Sequence, residues 1–132
     1  MTGVEIQPIN PGGLPAPTGN YTHGTLVSGA GRTVFVSGQV PWPDEAGRVP
    51  ADFETQCRLV WHNVLTVLAE AGMGVRNLAK VTTYLSDRRY REANSRIRAE
   101  ILGDHAPALT VIIADIYAEE WLLEIEAIAV AA

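Results

Sequence analysis

Cysteine is almost missing from this sequence: Cys57 is the only one in 132 residues. No intrachain disulfide can form, and that usage fits a reducing compartment. Histidine is scarce too, and His23, His62 and His105 are scattered without metal-ligand spacing, so no metal site is expected. The residue patterns of a phosphate-binding loop, a dinucleotide fold, a zinc protease, a nucleophile elbow and a redox dithiol are all lacking. No apolar run approaches the length that spans a bilayer. The opening residues, MTGVEIQPINPGG, have neither the basic nor the apolar region of a secretory leader. Basic charge is also short, with 10 Lys and Arg against 15 Asp and Glu for a net charge of −5. That balance argues against a nucleic-acid partner, which would call for a basic face. The densest basic run, Arg88, Arg89 and Arg91, is flanked by Asp87 and Glu92 and reads as the solvated start of a helix. These absences lead to the expectation of a cytoplasmic protein with no membrane or nucleic-acid partner.

What is present is an ordinary globular composition, 47% hydrophobic and 19% charged, in a length that suits one domain over residues 1–132. The first twenty residues are rich in Pro and Gly and read as an extended, irregular lead-in. Two β-type runs follow, His23–Ser28 and Thr33–Ser37, with GAGR between them as hairpin-like turn chemistry. After a loop with three prolines, Asp52 is placed to cap a helix over 53–71, with Phe53, Cys57, Val60, Trp61, Val64, Leu68 and Ala71 on one apolar face and Gly72 as its stop. Leu78–Leu85 is a β-type run, and a second helix over about 88–102 puts Tyr90, Ala93, Asn94, Ile97 and Ile101 on one face. Strands at Leu109–Asp115 and Leu122–Val130 close the chain. The order ββαβαββ is an α+β arrangement: a mixed sheet with both helices on one face. The other face then needs a cover, and no third helix exists to supply one, so a second copy of the chain is the expected cover.

The candidate functional residues are few. LLEIEAIAV, residues 122–130, carries Glu124 and Glu126 in an otherwise apolar strand, where both side chains point to one face. Carboxylates in such a setting are either paired at an interface or do acid–base work. SGQVP, 37–41, sets Ser37, Gly38 and Gln39 after an apolar strand, which makes either a ligand-contacting rim or an ordinary turn. Asn94 on an apolar helix face must find partners, from a loop backbone or from a ligand. Cys57 on the first helix's apolar face has a small buried hydrophobe as its default reading. His62 reads as surface or packing.

Taken together, GNYTHG (19–24), VFVSGQVP (34–41), DFETQ with WHNVLTVLAEAG (52–72), KVTTYLSD (80–87), Asn94, APALTV (106–111) and EIEAIAV (124–130) resemble the Rid family, also known as YjgF or endoribonuclease L-PSP, nearly end to end and in order. The resemblance implies a chorismate-mutase-like α+β fold assembled as a homotrimer. The sheets would form a central barrel, with small-molecule clefts between subunits. It implies that Glu124 positions the water that attacks the substrate, that Tyr21, Ser37 and Gly38 line the cleft, and that Asn94 lies near it. It also implies hydrolysis of enamines and imines to 2-oxoacids and ammonia with no cofactor. Leu109 and Val111 occupy substrate-binding positions of the family pattern, and here the chain departs from it. The family has an arginine where this chain has Leu109, and often a cysteine where it has Val111. A guanidinium clamps a carboxylate in a way no aliphatic side chain can. The departure therefore argues against the standard 2-aminoacrylate deaminase. Arg32 is a candidate substitute cation, and Trp42 lines the pocket or anchors a loop. The alternatives to a hydrolase are a non-catalytic trimer that binds or stabilises through a small ligand and, least favoured, a ribonuclease.

Overall fold

A computed structural model describes residues 3–132. Six strands and two helices follow one another: β1 (Glu5–Ile9), β2 (Gly24–Ser28), β3 (Arg32–Gln39), α1 (Phe53–Glu70), β4 (Leu78–Leu85), α2 (Arg91–Leu102), β5 (Ala108–Ile113) and β6 (Leu123–Ala131). Single 3-10 turns at Val75–Asn77 and Arg88–Tyr90 lead into β4 and α2. No helix among the described residues is long and apolar enough to cross a membrane.

Helix α1 forms where its periodicity places it. Asp52 caps it, its carboxylate accepting the Thr55 N–H at 2.9 Å, and Gly72 ends it at φ +73°, a conformation open to glycine at little cost. Phe53, Cys57, Val60, Trp61, Val64 and Leu68 are buried on one stripe. Each large apolar side chain sealed this way contributes about 1.5–3 kcal/mol. Strands β3, β6, β4 and β5 form one sheet in that order, antiparallel except for the parallel pair β4–β5. Alternation along the strands decides which face the helices cover. Val81, Thr83 and Leu85 of β4 and Leu123, Ile125, Ala127 and Ala129 of β6 are buried in the core with α1 and α2. Lys80, Thr82, Tyr84, Glu124, Glu126 and Ile128 point the other way, joined by Phe35, which is 75% exposed. The expected mixed sheet with two helices on one face and an open opposite face is observed.

The N-terminal part differs from expectation. The lead-in holds a strand, β1, which pairs antiparallel with β2 as a separate two-stranded ribbon. Pro8 sits in β1 because the strand is an edge, where a missing N–H costs little. Strands β2 and β3 do not form the expected hairpin, because β3 pairs with β6 across nearly the whole chain length and β2 is taken by β1. GAGR therefore turns the chain from one sheet to the next. Thr25 ties the ribbon to the main sheet through a 3.0 Å hydrogen bond to the Ala79 carbonyl. Thr22 forms a parallel bridge with Ala108 at the start of β5.

Candidate functional site

Glu124 lies on the open face, opposite Tyr84 of β4 in the strand register, and Glu126 lies opposite Thr82. Both are only half-buried, so the cost of placing carboxylates in an apolar strand is met by water on this side of the sheet. Where β3 reaches them its register with β6 shifts between Val36 and Gln39, and Gly38 sits within that irregularity. The Glu124 carboxyl lies directly over Gly38. A methyl group at position 38 would stand 2.7 Å from its Cδ and 3.0 Å from its Cγ and would collide with Oε2. Glycine here lets that carboxyl approach the backbone closely; its backbone angle is not unusual.

A cavity of about 170 Å³ opens beside this carboxylate, lined by Tyr84, Asp115, Ile116, Glu124 and Glu126. Burial and then the neighbouring Glu126 carboxylate push the Tyr84 phenol up, so it remains a donor at neutral pH, and it reaches Glu126 Oε1 in a long 3.5 Å hydrogen bond. A second hollow of about 250 Å³ continues along the open face past Ser37, Phe35, Lys80, Thr82 and Glu126. At its edge Lys80 donates to Thr110 Oγ1 of β5 at 2.7 Å.

Asn94 and Val111 are elsewhere. The β4–β5 register sets Leu109 beside Val81 and Val111 beside Thr83, which puts both on the helix-covered side of the sheet. There Asn94, 2% exposed, lines a cavity of about 330 Å³ with Leu85, Arg88, Arg91, Ser95, Arg98, Val111 and Ile113. Asn94 makes no hydrogen bond to a loop backbone among the described residues; its amide faces this cavity. Leu109 packs against the hydrophobic core. Within one copy of the chain the seven candidates thus divide. Glu124, Gly38 and Ser37 share the open face, while Asn94, Val111 and Leu109 belong to the helix side. Tyr21 joins neither group. It stands half-buried beside the Thr22–Ala108 bridge with its ring edge-on to His23 at 6.0 Å, and Glu124 is level with a point about 13 Å further along the sheet.

Several side assignments are settled by contacts. Arg32 donates to the carbonyls of Ala71 at 2.9 Å and Ala132 at 3.2 Å, holding the end of α1 and the end of β6 within the chain. Trp42 packs edge-on against Trp121 at 5.8 Å and donates to Gln39, so it anchors its loop. His62 is exposed, and burial pushes the Cys57 thiol up to about 12, which leaves it inert. Among the described residues no group of three His, Cys, Asp or Glu side chains is placed to hold a metal ion. Sequence reasoning missed Tyr84, Asp115, Arg98 and Gln56. Gln56 is buried and donates to the carbonyls of Pro50 at 2.7 Å and Glu120 at 2.9 Å while accepting from the Leu122 N–H at 2.8 Å, which fixes the approach to β6 just ahead of Glu124. A polar residue on a helix face otherwise apolar was its only signal.

The endoribonuclease L-PSP family model matches residues 13–131. A RutC family protein of Pyrococcus abyssi is 33% identical over 87% of this chain and 89% of its own length. The 2-iminobutanoate/2-iminopropanoate deaminase of Escherichia coli is 31% identical over 88% of this chain and 91% of its own. Among solved structures, a conserved Rid-family protein of Yersinia pestis, YyfB, superposes with a TM-score of 0.79 at 28% identity, covering 95% of this chain and 98% of that one. Escherichia coli TdcF with bound serine gives 0.69 at 31% identity, covering 88% and 91%.

Proposed function

The chain belongs to the endoribonuclease L-PSP, or Rid, family, and we propose that it is a deaminase-type hydrolase of small enamines and imines with Glu124 as its catalytic carboxylate. The observation that carries this reading is the Glu124 carboxyl seated over Gly38 at the mouth of a small polar cavity, where the missing side chain at position 38 lets the carboxyl lie close to the backbone. A carboxylate so held can orient a water against a C=N carbon. As the C–O bond forms, Glu124 takes a proton from that water. It returns the proton to nitrogen, giving a carbinolamine; the new hydroxyl then passes its proton by way of Glu124 to the same nitrogen, the C–N bond breaks as the C=O forms, and a carbonyl compound and ammonia leave. The Tyr84 phenol, kept protonated, donates to Glu126 beside the catalytic carboxylate. The E. coli relative named for 2-iminobutanoate and 2-iminopropanoate supports imines of short 2-oxoacids as the substrate class.

The division of the candidate residues over two faces of one sheet supports a cleft completed by a second copy, with Glu124, Gly38 and Ser37 from one subunit and Asn94 and Val111 from the next, in a closed trimer. The test is to mix subunits. Glu124→Gln and Asn94→Ala proteins are each expected to release little ammonia from freshly generated 2-iminobutanoate. Unfolded and refolded together in equal amounts, random assembly into a ring of shared clefts restores about a quarter of wild-type activity. Mixtures no more active than their parents count against the shared cleft. A full-rate Glu124→Gln protein removes the proposed catalyst. A second reading, a trimer that binds a small ligand without turnover, draws on the apolar Leu109 and Val111. Saturable 2-oxobutanoate binding by wild type, with no ammonia released above the uncatalysed rate, would establish it.

A further inference from the structure

Four exposed arginines have carboxylate partners: Arg48 pairs with Asp44, Arg58 with Glu100, Arg76 with Asp104, and Arg96 with Glu54. Arg98 is different. It is 7% exposed, its Nε is buried with no hydrogen-bond partner, and no carboxylate among the described residues lies within ion-pair distance. Desolvation holds its guanidinium below the usual arginine range, with no carboxylate opposing that effect. Leaving a buried cation unpaired is costly, and folded proteins retain one where something else supplies the partner. Arg98 opens onto the cavity it shares with Asn94 and Val111. Arg91, Asn94 and Arg98 stand at i, i+3 and i+7 on α2 and so share a face, and Arg88 lines the same cavity from the preceding 3-10 turn. None of these three arginines forms a salt bridge within the described chain.

We propose that Arg98, with Arg88 and Arg91 at the rim, receives the carboxylate of a small aliphatic substrate, supplying from α2 the cation that Leu109 does not supply from β5. A planar guanidinium can take both oxygens of a carboxylate, and a contact made by the buried Arg98 is worth more than one made at the surface. Leu85, Val111 and Ile113 form the apolar wall for a short carbon chain, and about 330 Å³ is room for one. The proposal rests on the deaminase reading only for the reactive end of the ligand; the anion pocket stands on its own geometry.

The experiment is calorimetric binding in the Glu124→Gln protein, where turnover is removed, using 2-oxobutanoate and its uncharged counterpart 2-oxobutanamide. The acid is expected to bind more than about tenfold tighter than the amide, and Arg98→Met to weaken the acid by about 10- to 100-fold with the amide unchanged. Arg98→Lys should fall between. The Arg88→Gln/Arg91→Gln double variant alters only exposed side chains. It is expected to weaken the acid several-fold and flatten its dependence on salt. Equal affinity for acid and amide overturns the proposal, as does undiminished acid binding by Arg98→Met. Should Arg98→Met fail to fold by thermal melting, an unchanged affinity in the double variant overturns it instead. Tight, Arg98-dependent binding by a wild-type protein that releases no ammonia would refute the deaminase reading and leave this one standing.

Discussion

Replacing Gly38 by alanine separates function from stability in a way few substitutions at this site can. The φ of Gly38 is not in the left-handed region, so alanine is conformationally acceptable there. By its effect on the unfolded chain alone, such a change stabilises a protein by about 0.4–1 kcal/mol. The added methyl, however, meets Glu124 at Cδ, Cγ and Oε2. The obstacle is the far end of a flexible, half-exposed side chain, so the carboxylate swings away at little cost to folding. The net stability change should therefore lie within about 0.5 kcal/mol of zero. Catalysis is less forgiving. Displacing the carboxylate by roughly 1 Å is enough to lower turnover about 100-fold. The check is kcat/KM for 2-iminobutanoate alongside urea denaturation of the same preparations. A Gly38→Ala protein with wild-type turnover refutes the reasoning, because it would mean that the position over Gly38 is not where Glu124 works. A large loss of stability would refute it from the other side, showing that the carboxylate is locked in place by the fold.

Three further expectations follow from the same structure. Cys57, with its thiol pushed up to about 12, should resist a thiol reagent at pH 8 in the native protein and react at once in urea; above the ordinary thiol range the unfolded chain ionises first, so stability falls as pH rises from about 9 toward 12. Rapid native labelling would contradict this burial. Gln56→Ala strips the partners from two carbonyls and the Leu122 N–H, and urea unfolding should show a loss of about 2–4 kcal/mol, against an insignificant change if water replaces the amide. Leu109→Arg removes a core-packed side chain and should lower stability by about 1–2 kcal/mol without raising 2-iminobutanoate turnover; a gain above tenfold would show that the pocket lacks its cation and would count against Arg98.

The helices and the main sheet were legible because each carries a sustained period. The stripe from Phe53 to Leu68 repeats as a helix must, and burial alternates from Ala79 to Leu85 in β4 and from Leu123 to Ala129 in β6. The ribbon was not legible. Its strand β1 hides among prolines and glycines, with Pro8 inside the strand itself, and shows no alternation of burial to betray it. The false hairpin has the same origin in the opposite direction. GAGR carries sound turn chemistry, but a turn fixes only a local reversal, while β3 gains its ladder from β6 about a hundred residues away.

The site was legible in part for a related reason. Glu124 and Glu126 stood out because strand parity makes two carboxylates in an apolar run conspicuous from the sequence alone. Arg98 did not stand out, because an arginine in a helix is ordinarily a surface residue; only its place four residues after Asn94 hinted that it shares that buried face. Nor does parity within one strand say whether two strands aim their side chains at the same side of a sheet. That requires the register, and the register sets Tyr84 beside Glu124 on the open face while Thr83 sits beside Val111 against the helices. Adjacent residues of β4 thus divide the candidate residues between two surfaces of one molecule. A site that uses both surfaces needs a second molecule to bring them together. On this reading, the open face, with Phe35 three-quarters exposed beside it, and the unpaired cation behind α2 are two halves of one requirement. The first supplies a surface on which another copy can seat, and the second supplies the charge that a substrate held between copies would neutralise.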